Sequence, residues 1–128
     1  MEVLSSRVLL RPADYQRTLA FYRDTLGLAI AREYPGGTVF FAGQSFIEIA
    51  GHDRGSADAA PFPGALWLQV RDVYAVQQQL TAGGVAIARE ARAEPWGLHE
   101  MRVTDPDGVD LIFVQIPADH PLRRDVRG

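Results

Sequence analysis

The chain contains no cysteine. That excludes disulfides, thiolate metal sites and a cysteine nucleophile. It also suits a reducing compartment, so a cytoplasmic location is expected. Histidine is scarce: only His52, His99 and His120 occur. No apolar run approaches the roughly 20 residues a membrane span needs. The opening Met1-Glu2-Val3-Leu4-Ser5-Ser6-Arg7 lacks the basic-then-apolar order of a signal peptide. Nor is there an excess of positive charge. Lys and Arg total 13 against 16 acids, for a net charge of −3. The arginines are scattered among acids without a basic stripe, so neither nucleic acid nor membrane is expected as a partner. Gly36-Gly37 and Gly83-Gly84 have no phosphate-loop context. Gly43-Gln44-Ser45-Phe46-Ile47 begins like a nucleophile elbow, but it lacks the closing glycine and joins strand to strand.

What the chain does have is a repetition. Ala29-Ile30-Ala31-Arg32-Glu33 recurs letter for letter as Ala86-Ile87-Ala88-Arg89-Glu90. Each copy follows an apolar strand, an Asp (Asp14 and Asp72) and a helical stretch ending near Gly. The two registers drift by one residue. Two copies of a strand-helix-strand unit imply a pseudo-symmetric domain. A chain of 128 residues that is 47% apolar and 23% charged can support one globular core.

The local signals place the elements. Val8 to Arg11 reads as a strand stopped by Pro12. Asp14 is suited to accept the free amide hydrogens of a helix's first turn. Tyr15, Thr18, Leu19, Tyr22 and Leu26 then share one face at helical spacing, and Gly27 suits the left-handed stop. Strands are expected over Leu28 to Glu33, Thr38 to Ala42 and Ser45 to Ala50. Module one thus covers residues 6–50 in the order βαβββ. Residues 51–64 form a breaker-rich linker. Module two covers 65–117, with a strand from Ala65 to Val70 and a helix from Asp72 to about Ala82. Further strands are expected over Val85 to Arg89, His99 to Val103 and Val109 to Ile116, the last two joined by the turn Asp105-Pro106-Asp107-Gly108. Modules and linker make one domain, 1–117. Residues 118–128 read as a loose tail.

These residues carry a resemblance. Asp14, Phe21-Tyr22 and Leu26-Gly27-Leu28 match a "D…FY…LG" helix. Pro95-Trp96-Gly97 and Asp105-Pro106-Asp107-Gly108 match "PWG…DPDG". Over residues 7 to 116 the chain resembles the vicinal oxygen chelate superfamily, which includes glyoxalase I, extradiol dioxygenases and the fosfomycin- and bleomycin-resistance proteins. The resemblance implies an α+β fold of two tandem βαβββ modules, curled into a half-open barrel around a cleft, and a homodimer.

It also implies four metal-ligand positions on the first and last strands of the modules. They fall here on Arg7, Glu48, Ala65 and Ile112. Glu48 can ligate, Arg7 is a permanent cation without a lone pair, and Ala65 and Ile112 offer no donor. A slip of two residues would keep the face and adds only Asp110. No metal and no other cofactor is therefore expected, although a weak ion site between Glu48 and Asp110 stays open.

The same alternation assigns a ligand surface to Arg7, Leu9, Phe46, Glu48, Trp67, Gln69, Asp110, Ile112 and Val114, with Trp96 and His99 nearby. Such an apolar, aromatic trough with few polar groups suits a small planar or aromatic molecule. Trp67 and Phe46 read equally as core aromatics, and His99 as a structural histidine. Glu48 has three readings: relic ligand, salt-bridge partner of Arg7 or ligand anchor, of which the pair with Arg7 is preferred. The function expected is metal-independent binding or sequestering of a small molecule, an antibiotic among the candidates, as in bleomycin-resistance proteins. The alternative is a lyase, isomerase or dioxygenase of the same fold with a rebuilt or absent metal site.

Overall fold

The computed structural model describes residues 1–51 and 62–124. His52, most of the linker and the end of the tail lie outside the described residues. The chain divides into two units: Met1–Pro63 with Asp105–Val109, and Gly64–Thr104 with Asp110–Gly128.

The first unit runs β1 (Val8–Leu10), α1 (Tyr15–Ala20), a π-helical turn (Phe21–Thr25), β2 (Ile30–Tyr34), β3 (Gly37–Ala42) and β4 (Ser45–Ala50). Its sheet has the order β1-β4-β3-β2. The β1–β4 pair is parallel and the other two are antiparallel. Alternation puts Thr38, Phe40, Ile47 and Ile49 on one face, all buried, against the helical segment. Tyr22, fully buried, packs its ring on Phe40, and Tyr15 shares a 2.8 Å hydrogen bond with Thr38. Burial of each such ring contributes about 1.5–3 kcal/mol. The Asp14 cap, one 3.2 Å bond from Arg17 N–H, is worth about 1 kcal/mol. The helix is held mainly by its packed face.

Sequence spacing predicts one regular helix to Leu26. The structure widens its last turn instead, with Leu26 N–H reaching the Phe21 carbonyl at 2.8 Å. Gly27 then takes φ 73°, the left-handed stop.

The segment Asp105–Val109 completes this unit. One oxygen of Asp105 accepts the amides of Asp107 (2.8 Å) and Val109 (3.0 Å). The other accepts the Tyr22 hydroxyl at 2.8 Å. Asp107 accepts the Ala13 amide at 3.1 Å and the Thr18 hydroxyl at 2.9 Å. The Asp105-Pro106-Asp107-Gly108 motif is the tight turn expected of it, and it also clasps α1.

The second unit runs β5 (Ala65–Gln69), α2 (Val73–Ala82), β6 (Arg89–Ala93), β7 (His99–Thr104), β8 (Asp110–Gln115) and α3 (Pro121–Arg124). Its sheet order, β5-β8-β7-β6, repeats the first. Asp72 caps α2 with bonds from the amides of Tyr74 (3.0 Å) and Ala75 (3.1 Å). Leu66, Met101, Val103, Leu111 and Phe113 form the buried face, joined by Val73 and Leu80 of α2.

One strand is corrected. The expected Val85 to Arg89 strand lies four residues later, over Arg89–Ala93. Val85 N–H is spent on the Leu80 carbonyl at 2.9 Å, closing α2, and the chain first meets β7 when Ala88 N–H reaches the Arg102 carbonyl at 2.9 Å. The tail is corrected in part: it carries α3, and the His120 ring lies 3.2 Å from the Trp96 carbonyl. Among the described residues no helix is long and apolar enough to cross a membrane.

Candidate functional site

In the first unit the sheet face opposite α1 carries Leu9, Glu48, Val39 and Arg32 in one cross-strand row. The neighbouring row pairs Phe46 with Phe41, and their rings meet at 5.6 Å. Arg7 and Glu48 form the expected ion pair, Nη1 to Oε1 at 2.9 Å. The remaining oxygen of Glu48 accepts the Tyr34 hydroxyl.

Tyr34 reaches it because it stands opposite Gly37, where its ring crosses the sheet. A Cβ at Gly37 would fall inside the Tyr34 phenol, 2.9 Å from Cε1 and nearer still to the hydroxyl. The Arg32 guanidinium lies 5.3 Å above the same ring, a cation–π distance. The Tyr34 bond and the Arg7 charge hold the Glu48 carboxyl below its usual range, although burial to 8% exposure opposes them. The hydrogen bond to Glu48, with burial, pushes the Tyr34 phenol up to about 12.

In the second unit the face opposite α2 carries the row Trp67–Ile112–Arg102 and, beside it, Gln69–Val114–Glu100. Asp110 follows one row further along β8 and is exposed. Trp67 is 49% exposed and Trp96 55%, so neither is a core residue. Trp96 is held by its indole N–H, which donates to Glu100 at 2.8 Å, while Glu100 itself is only 5% exposed. Leu98, Val114 and Ile116 make an apolar cluster, with Ile112 against it.

His99 is corrected. It stands one residue from Glu100, hence on the α2 side, where its Nδ1 lies 2.7 Å from the Tyr74 hydroxyl. The two rings meet edge to face. Strand parity separates His99 from Trp67, Gln69 and Ile112.

Each unit thus gathers its own share of the expected residues: Arg7, Leu9, Phe46 and Glu48 in the first, and Trp67, Gln69, Asp110, Ile112 and Trp96 in the second. Three contributors were missed. Tyr34 could have been found from the Gly37 opposite it, since a glycine in a strand marks a close approach. The apolar Met101 and Val103 mark the α2 side of β7, so period-two alternation would have placed Glu100 on the opposite, ligand face. Arg102 follows from the same count.

The residues at the four chelating positions do not fit a bound divalent ion. Glu48 has both oxygens engaged, Arg7 is its cationic partner, and Ala65 and Ile112 supply no donor. Among the described residues there is no group of three or more His, Cys, Asp and Glu placed to hold a metal.

Two βαβββ units with mixed four-stranded sheets define the glyoxalase fold. The chain belongs to the Glyoxalase/Bleomycin resistance protein/Dioxygenase superfamily, whose family model matches residues 5–113. It is 30% identical to a lactoylglutathione lyase of Haemophilus influenzae, over 90% of this chain and 93% of the relative. Among solved structures it is similar to a superfamily member from Sphaerobacter thermophilus (TM-score 0.72, 22% identity, covering 89% of this chain and 98% of that one). It is equally similar to a glyoxalase-related enzyme from Fulvimarina pelagi (TM-score 0.72, 24% identity, covering 92% and 91%).

Proposed function

We propose that this chain binds a small planar or aromatic molecule without a chelated divalent ion, holding it rather than transforming it. One observation carries the reading: Glu48, which alone of the four chelating positions offers a donor, is neutralised by Arg7 and hydrogen-bonded by Tyr34. A guanidinium and a phenol occupy the role an ion would otherwise fill. The exposed Trp67 and Trp96 indoles and the apolar Ile112, Val114 and Leu98 support an aromatic ligand. Antibiotics fall within this class. Elemental analysis of the purified protein tests the reading, with less than a tenth of an equivalent of transition metal expected. A stoichiometric ion that survives dialysis against chelator would overturn it.

The lactoylglutathione lyase relative favours a second reading, a lyase acting on the same compound. Cleavage of lactoylglutathione, measured with and without added divalent cations, separates the two. Turnover well above the uncatalysed rate would establish the enzyme. Its absence under both conditions leaves the binding protein.

A further inference from the structure

We infer that the second unit recognises an anion: the ligand carries a carboxylate, or a group of like charge and shape, that pairs with Arg102 while its apolar body lies on Trp67 and Ile112. This rests on the small-molecule reading above and narrows it to a chemical class.

The ladder fixes the arrangement. Trp67, Ile112 and Arg102 are consecutive cross-strand partners on β5, β8 and β7. They share the face turned away from α2 and stand about 4.8 Å apart from strand to strand. A ligand lying across the strands meets an exposed indole, then a half-buried aliphatic side chain, then a guanidinium.

Charge accounting singles out Arg102. Its other cross-strand neighbour is Arg89, and two like charges directly opposite repel. Arg89 is neutralised by the buried carboxylate of Glu94, which also takes Arg92 at 3.4 Å. Glu100, nearest on the same strand and face, spends an oxygen on the Trp96 indole. Asp110, on the same face of β8, stands opposite Thr104 and makes no ion pair with Arg102. Among the described residues the Arg102 guanidinium has no hydrogen-bond or ion-pair partner, although its backbone is paired in the sheet. It is an exposed fork of N–H donors beside an aromatic platform, matched to a planar oxyanion. At the corresponding place in the first unit the row reads Leu9–Glu48–Val39. There the acid is built into the protein and already paired with Arg7, and Arg32 at the end of the row lies over the Tyr34 ring, whereas Arg102 stands beside an exposed indole platform.

The test is calorimetric titration of the full chain with 2-naphthoate and with its neutral counterpart 2-naphthamide. Naphthoate is expected to bind at least tenfold more tightly than the amide. Arg102→Gln should abolish that preference by weakening naphthoate more than the amide, and Arg102→Lys should restore part of it. Trp67→Leu should weaken both probes. Thermal melts of each variant confirm that the fold is kept. Equal binding of acid and amide by the native chain, or an unchanged naphthoate affinity in Arg102→Gln, overturns the anion inference and leaves the aromatic-ligand reading standing. Failure of both probes to bind at millimolar concentration removes the inference and the aromatic reading together.

Discussion

The hydroxyl of Tyr22 donates to the carboxylate of Asp105 at 2.8 Å, and both groups are buried. Burial raises the Asp105 carboxyl above its ordinary value of 3.8 despite the bonds it accepts, and it raises the Tyr22 phenol as well. The folded chain therefore binds the Asp105 proton more tightly than the unfolded one. The associated stability is fully present below pH 3.8 and is lost as pH rises through the raised folded value. Asp105→Asn keeps an acceptor for the two backbone amides and cannot ionise. The difference in melting temperature between native chain and variant should shift in the variant's favour over that window. A constant difference would show that Asp105 does not titrate there.

Tyr22→Phe removes the donor and leaves a buried carboxylate oxygen unpaired. A loss of about 1–3 kcal/mol is expected in urea unfolding. A loss below about 0.5 kcal/mol would mean that solvent reaches Asp105 once the hydroxyl is gone.

Glu48 carries the opposite sign. The Tyr34 bond and Arg7 lower its folded pKa below the ordinary 4.5. Its contribution is present above 4.5 and disappears as pH falls through the lowered folded value. Glu48→Gln should lose stability at neutral pH and converge on the native chain in acid. Parallel stability curves would contradict the assignment.

Gly37→Ala tests the geometry behind that pair. The added methyl occupies the space of the Tyr34 phenol, so the ring must leave Glu48. Overpacking of this kind costs about 1–3 kcal/mol. The tyrosinate absorbance titration assigned to Tyr34 should move from about 12 toward the ordinary 10.0. An unmoved titration would show that the ring tolerates the methyl in place.

The repeated caps make a matched pair. Asp72 accepts two amides and Asp14 one longer bond. Asp72→Ala should cost about 1 kcal/mol or more, and Asp14→Ala less. Equal losses by chemical unfolding would deny the difference in geometry.

Much of the fold was legible because local signals agree with it. The Asp14 and Asp72 caps, the Gly27 stop and the alternating apolar residues of Ser45–Ala50 each state their own conformation. The strand over Arg89–Ala93 was not legible from its pattern. Its identity with module one at Ala86–Glu90 suggested an earlier start, while the closing of α2 by Val85 delays it. Sequence identity carries backbone preference but not the partner that claims each hydrogen bond.

The candidate site was legible wherever strand parity applied, as for Arg7 with Glu48 and Trp67 with Ile112. It failed where nearness along the chain replaced parity: His99 follows Trp96 closely and yet faces Tyr74. Arg32 and Arg89 make the same point. Matching residues of the pentapeptide, one lies over the Tyr34 ring and the other pairs with Glu94. The same five letters enter their strand at Ile30 in one unit and only at Arg89 in the other, and their partners differ as well.

The Asp105–Val109 segment bears on how this protein is made. The first unit needs that turn to satisfy Tyr22, Thr18 and the Ala13 amide, yet it is encoded after most of the second unit. Until Asp105 and Asp107 are made, the Tyr22 and Thr18 hydroxyls have water in place of these acceptors. Closing so long a loop is slow compared with forming either helix. These three contacts, whose partners lie 83, 89 and 94 residues apart in sequence, therefore form only after most of the second unit has been made.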